Sequence, residues 1–178
     1  MKKGKLLIGC CGAIGASNLE IYTHLLQEFF EIDVILTGNA RHFVKTESLK
    51  FSVKGIYTDL FRLDDFVPHI LLTQKIDYFL ILPATANFIG KMANGIADDL
   101  LSTSVVAYQG RLLICPNMNQ RMWENSIVKE NVEKIKKRGH LFLNEQKRSY
   151  EVATRKNIDI DAGLPDPKRL LEILLDKI

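Results

Sequence analysis

The feature that most constrains this chain is an alternation. Short apolar runs end in small or polar residues and are followed by segments whose apolar residues recur at helical spacing, the pattern of a parallel sheet with helices on both faces. Lys5–Cys11 is a continuous apolar strand, and Asn18–Phe30 follows with Leu19, Tyr22, Leu25, Leu26 and Phe29 on one helical face. Asp33–Thr37, Asp77–Leu82 and Arg111–Cys115 read as further strands, the last two stopped by Pro83 and Pro116. Arg41–Leu49, Ala86–Gly95, Asp98–Ala107 and Ile127–Arg138 read as helices, and Pro167–Ile178 as a helix with proline in its first turn. His140–Leu143 is a short strand, Phe51–Tyr57 is irregular or weakly extended, and Gln146–Leu164 is the one long stretch without clear periodicity. The expected fold is a single α/β domain over residues 1–178, a doubly wound parallel sheet.

Composition excludes several functions. A net charge of +3 is too small and too dispersed to argue for nucleic acid, and the densest basic stretch, Lys134–Arg138, suits a solvated helix C-terminus. Apolar runs such as Leu112–Cys115 fall far short of the roughly 18 residues a membrane-spanning helix needs. The basic start Met1–Lys5 is followed by glycines and no small-residue cleavage site, so no export signal is read and a cytoplasmic location is expected. Three cysteines, all in or beside apolar runs and without C-x-x-C spacing, argue against both a disulfide framework and a metal site.

In an open α/β sheet, ligands bind beyond the carboxyl ends of the strands, so the residues after each strand carry the functional information. The first strand runs into Gly9-Cys10-Cys11-Gly12-Ala13-Ile14-Gly15, a small-residue turn that offers backbone N–H groups to a ligand. Its G-x-x-G-x-x-G spacing differs from the dinucleotide G-x-G-x-x-G. The second strand ends in Thr37-Gly38-Asn39, with no acidic residue for a ribose, so a mononucleotide phosphate is expected in place of NAD. Pro83-Ala84-Thr85-Ala86-Asn87 opens a helix, where Thr85 alone could serve as an N-cap. Pro116-Asn117-Met118-Asn119-Gln120-Arg121-Met122-Trp123 gathers three amides, two methionines and the only tryptophan directly after a buried strand, more than a helix cap requires.

These segments resemble a known family. P-N-M-N-Q-R-M-W at 116–123 is similar to the P-x-M-N-x-x-M-W motif of the homo-oligomeric flavin-containing cysteine decarboxylases, and P-A-T-A-N at 83–87 to their P-A-S-A-N segment. His69, in Val67-Pro68-His69-Ile70, matches the family's single histidine after a variable region. The resemblance implies a Rossmann-like, flavodoxin-like fold that binds FMN between subunits of a homotrimer, with trimers often assembled into a dodecamer. It places Gly12, Ala13 and Thr37 at the phosphate and ribityl chain, and Thr85, Ala86, Asn87 and Asn117 along the flavin.

It also implies a chemistry. Direct loss of carbon dioxide from cysteine would leave a carbanion with nothing to delocalise it, whereas transfer of a hydride equivalent from the Cβ–S unit to FMN gives a thioaldehyde that decarboxylates to a stabilised enethiolate. His69 would then be the acid/base group, and Asn119 would hold the substrate carboxylate through its amide. The other histidines, His24, His42 and His140, read as structural, and none of the cysteines as a nucleophile. Two branches share the motifs. One acts on phosphopantothenoylcysteine and carries a late cysteine that reduces the enethiol; here no cysteine follows Cys115. The other acts on the C-terminal cysteine of a precursor peptide. Residues 146–164 resemble its substrate clamp, with Tyr150, Glu151, Val152, Ala153, Thr154 and Met122 expected against the peptide. The expectation is therefore an FMN-dependent peptidyl-cysteine decarboxylase of lanthipeptide or related biosynthesis. The phosphopantothenoylcysteine enzyme is disfavoured by the missing thiol and the absence of a fused synthetase domain. The other alternative is a non-catalytic flavin-binding regulatory module.

Overall fold

The computed structural model describes residues 2–61, 67–151 and 154–176. Its centre is a parallel sheet of β1 (Gly4–Cys10), β2 (Phe30–Leu36), β3 (Gly55–Tyr57), β4 (Tyr78–Ala84), β5 (Leu112–Pro116) and β6 (Leu141–Phe142), in the order β3-β2-β1-β4-β5-β6. The doubly wound α/β expectation holds, and the chain changes its direction of travel between β1 and β4.

Strand periodicity decides what lies on each face. Leu6, Ile8 and Cys10 of β1 point to a core shared with α1 (Leu19–Leu26) and α8 (Pro167–Asp176), through Leu19, Tyr22, Leu26, Leu170 and Leu174. Leu7 and Cys11 point to the opposite core, built with α4 (Ala86–Asn94), α5 (Leu100–Ala107) and α7 (Ser126–Lys137), through Phe88, Ile89, Leu101, Val132 and Ile135. Both faces of the sheet are covered, which is why its strands are nearly continuous in apolar residues.

The structure moves several expected boundaries. The first helix ends at the cap Gln27, and Phe30 already belongs to β2, where it is fully buried against Tyr78. Pro83 does not stop its strand. β4 continues to Ala84 because the proline sits where the β4–β5 register shifts, and its carbonyl accepts the Cys11 N–H at 3.1 Å. The expected helix Arg41–Leu49 is a 3-10 turn over Gly38–His42 followed by the short α2 (Thr46–Leu49). Two helices went unforeseen: α3 (Pro68–Gln74), packed on α5, and α6 (Gln120–Glu124). The stretch without periodicity forms an antiparallel hairpin of β7 (Glu145–Glu151) and β8 (Lys156–Gly163), separate from the main sheet. Among the described residues, no helix is long and apolar enough to cross a membrane.

Asp99 and Ser102 form a reciprocal capping box at the start of α5, and Gly95, with φ +69°, ends α4 in the left-handed conformation that glycine adopts without strain. His140 has a structural post. Its Nδ1 accepts the Leu112 N–H at 3.2 Å, while burial, with Arg138 and Arg111 nearby, holds the imidazole below its usual range. The unfolded chain therefore takes up the proton first as pH falls. The stability due to neutral His140 is fully present above the unfolded pKa of about 6.5 and is lost as pH drops toward the folded value. His140→Gln should flatten the fall in melting temperature from about pH 7 to pH 5 relative to the parent chain; parallel curves would remove His140 from that dependence.

Candidate active site

The glycine turn and the carboxyl ends of β2, β4 and β5 bound a cavity of about 820 Å³, closed on one side by the β7–β8 hairpin. That volume is within the range of small-molecule and cofactor sites. Gly12, Ala13 and Thr37 lie on its wall, with Thr85, Ala86, Asn87 and Asn117. Asn119, Met122, Tyr150 and Glu151 line it as well.

The polar residues around the cavity share a local logic. Thr37 Oγ1 accepts the Ala40 N–H at 3.4 Å at the start of the 3-10 turn, and Thr85 Oγ1 accepts the Phe88 N–H at 3.2 Å at the start of α4. Asn119 Oδ1 accepts the Arg121 N–H at 2.8 Å at the start of α6. Asn117 Oδ1 accepts the Gly15 N–H at 3.0 Å and so ties the end of β5 to the glycine turn. In each case the acceptor is spent on a backbone N–H, while Asn119 Nδ2 donates to the Glu151 carboxylate and the Thr85 side chain bonds to Cys11. Thr85, expected at the flavin and also suited to an N-cap, does cap α4, and it stands on the cavity wall while doing so.

The 116–123 segment divides its labour. Trp123 is buried, tilted against Phe142, with the Lys129 ammonium 4.5 Å from its ring centre, so it fastens α6 to the body of the fold. Gln120, which sequence reading passed over, anchors the hairpin: its Oε1 accepts the Asp161 N–H at 2.8 Å and its Nε2 donates to the Asp161 carboxylate at 2.9 Å. Ser149, Ile158 and Ile160 also reach the cavity and were missed, because a two-stranded ribbon outside the main sheet leaves only weak alternation in a polar segment.

Two expected residues, His69 and Thr154, lie off the cavity wall, and two more are not among the described residues. His69 is not among the side chains lining the cavity; it stands on the first turn of α3, which packs on α5, and its Nδ1 is buried without a partner among the described residues. Thr154 lies past the end of β7, where the chain reverses through Arg155 at φ +54°, and its hydroxyl donates to the Glu151 carboxylate rather than lining the cavity. Val152 and Ala153 lie outside the described residues.

Two charged residues of the wall neutralise one another. Lys91 Nζ lies 3.0 Å from Asp99 and also 2.5 Å from Asp98. Burial pushes the Cys11 thiol, which faces the cavity, up to about 12, so it stays protonated and unreactive at neutral pH. Cys10 and Cys115 are buried and raised for the same reason.

Against known proteins, the family model described as Flavoprotein matches residues 1–178. The chain belongs to the Flavoprotein family. It is 32% identical over 181 residues to epidermin decarboxylase of Staphylococcus epidermidis, covering 97% of this chain and 95% of that protein. At comparable identity, 31% over 152 residues, it is similar to the phosphopantothenoylcysteine decarboxylase of Mus musculus, covering 80% of this chain and 73% of that one. Among solved structures, the epidermin biosynthesis protein EpiD from Staphylococcus aureus superposes with a TM-score of 0.84 at 37% identity, covering 95% of this chain and 99% of that one. This member of the Flavoprotein family thus shares its fold and about a third of its residues with cysteine decarboxylases of both branches.

The link from Asn117 to the glycine turn is open to direct measurement. Asn117→Ala should lower the unfolding free energy by about 1 kcal/mol in urea titration, as the Gly15 N–H loses its acceptor. Asn117→Asp, which keeps an acceptor oxygen, should recover most of it; equal losses in both would show that the amide acts through something other than this bond.

Proposed function

We propose that this chain is an FMN-dependent decarboxylase of the C-terminal cysteine of a ribosomally made precursor peptide, releasing an aminoenethiol. The observation that carries the reading is the seating of Asn117, Asn119 and Met122 on the wall of a donor-lined cavity whose other side is a two-stranded hairpin. A hairpin with Ser149, Ile158 and Ile160 toward the cavity offers an extended peptide both backbone and side-chain contacts.

The residues present fit FMN. The Gly12 N–H and the Thr37 hydroxyl would supply neutral donors for a phosphate beside Ala13, whose own N–H goes to the Cys11 carbonyl at 2.9 Å, and Gly38 leaves that wall open, with no atom beyond its chain neighbours within 4 Å of where a side chain would begin. Thr85, Ala86, Asn87 and Asn117 are the residues that would line the ring system. FMN, when bound, supplies the two-electron acceptor that makes the cysteine carbon skeleton able to lose carbon dioxide. Asn119 holds the substrate carboxylate through Nδ2, its orientation set by the cap that Oδ1 makes at α6. A neutral amide binds the carboxylate without the charge pairing that would favour the ground state over its expulsion.

His69 enters as the acid/base group from a second copy of the chain in a homotrimer or dodecamer. Val67, Ile70 and Leu71 around it are all exposed apolar residues, a surface suited to burial against another subunit. The peptide reading is preferred over phosphopantothenoylcysteine because the sequence has no cysteine beyond Cys115 to reduce the enethiol.

Incubation with peptides ending in cysteine should give a product lighter by about 46 mass units, carbon dioxide plus two hydrogens. Loss of carbon dioxide alone from phosphopantothenoylcysteine would support the other branch, and a flavin-bound protein inert toward both substrates would support a regulatory module. His69→Asn and Asn119→Ala should each be inactive, and refolding the two variants together should restore part of the activity. Failure of that complementation would place His69 and Asn119 of one chain at the same site.

A further inference from the structure

We infer that Thr103 is a positioning residue for His69: its hydroxyl accepts the His69 Nδ1–H between α3 and α5 and so leaves Nε2 as the ring nitrogen that takes up and returns the proton. This rests on the proposed role of His69 as the acid/base group.

Buried polar atoms are nearly always paired, so an unpaired one marks a partner to be found. Among the described residues three enclosed side-chain atoms lack a partner: His69 Nδ1, Thr103 Oγ1 and Asp33 Oδ1. Asp33 lies on β2, where its carboxyl has the Tyr57 hydroxyl as a hydrogen-bond partner. The other two stand on α3 and α5, helices that pack against one another.

The setting of Thr103 is specific. A serine or threonine inside a helix commonly returns its hydroxyl to the carbonyl one turn earlier. Ser104 does so, donating to the Leu100 carbonyl at 2.7 Å, and Thr73 donates to the His69 carbonyl at 2.6 Å, which ties down the backbone of the histidine. Thr103 makes no such bond among the described residues. Leu101 of the same helix is turned to the sheet, filling the space where a side chain on Gly9 would begin, and at about 100° per residue Thr103 lies about 200° further round. The α4 side of α5 is marked by the ion pair of Asp99 with Lys91. The enclosure of Thr103 Oγ1 therefore comes from the remaining neighbour, α3, against which α5 packs most extensively.

A neutral imidazole carries one N–H, and the nitrogen that holds it decides what the other can do. A proton on Nδ1, given to Thr103 Oγ1, leaves the Nε2 lone pair to accept a proton from the substrate, and the same bond persists in the imidazolium. Without the hydroxyl, an Nδ1–H would be buried and unsatisfied, so the proton would move to Nε2 and the lone pair would face inward. The bond lies within one chain, while Nε2 serves the cavity of the neighbouring chain.

The test uses flavin-loaded full chain carrying isotopically labelled histidine, read by solid-state nitrogen NMR, with His69→Asn identifying the His69 signals. Thr103→Val, which keeps the shape and loses the hydroxyl, should shift the tautomer ratio about tenfold toward Nε2–H, and Thr103→Ser should restore it. With a peptide ending in cysteine, Thr103→Val should lower kcat about tenfold at unchanged KM, and Thr103→Ser should recover most of the loss. An unaltered tautomer ratio in Thr103→Val overturns the inference, as does an altered ratio with unchanged kcat. Thr103→Ala supplies the same comparison should the valine variant not fold. If the parent chain turns over no such peptide, the peptide reading fails, and the NMR comparison alone decides the pairing of Thr103 with His69.

Discussion

The site depends on one recurring hydrogen-bond arrangement, in which a strand-end side chain gives its acceptor to a backbone N–H and is thereby fixed on the cavity wall. Thr37, Thr85 and Asn119 do this by capping the helical segments that follow β2, β4 and β5, and Asn117 by holding the glycine turn. Each bond also fixes a rotamer, so the donors are positioned before any ligand arrives. The same arrangement explains how a cavity without an unpaired lysine or arginine among its described lining suits anionic groups. Uncharged donors fixed at strand ends and at a glycine turn can bind phosphate or carboxylate without concentrating positive charge.

How much of this was legible in the sequence follows from which interactions are local. β1, β2, β4 and β5 were readable because burial on both faces leaves near-continuous apolar runs such as Leu6–Cys11, and the wall residues because they directly follow those runs, whereas the short, half-buried edge strand β3 read as irregular or weakly extended. The boundary at Phe30 was misplaced because a phenylalanine suits the end of an amphipathic helix and the start of a buried strand equally, and contact with Tyr78, far along the chain, settles it. Pro83 misled for a similar reason. A proline stops a strand only where its missing N–H breaks the ladder, and here the register of β4 and β5 shifts around it.

The hairpin was the least legible part because its order comes from a distant segment. Residues 145–163 are largely polar, and what places them is the pair of bonds between Gln120 and Asp161, with the Tyr22 hydroxyl holding the Pro165 carbonyl at 2.6 Å just beyond. The 116–123 segment therefore acts in three directions at once. Trp123 fixes α6 to the core, Gln120 fixes the hairpin to α6, and Asn117 and Asn119 face the cavity between them. Its dense composition, excessive for a helix cap, is accounted for by the number of elements that must meet there.

His69 carries the argument beyond a single chain. In the proposed oligomer His69, on the first turn of its helix and absent from the cavity lining of its own chain, would reach a neighbouring chain's cavity, and the exposed Val67, Ile70 and Leu71 beside it would be buried at that boundary. Dividing the proposed chemistry in this way has a physical advantage. In that proposal the carboxylate-binding amide of Asn119 lies on the cavity wall that the hairpin faces, whereas the acid/base group, His69, would stand on a helix packed on α5. An acid/base group must be placed to a fraction of an ångström, and a helix packed on a second helix suits that requirement.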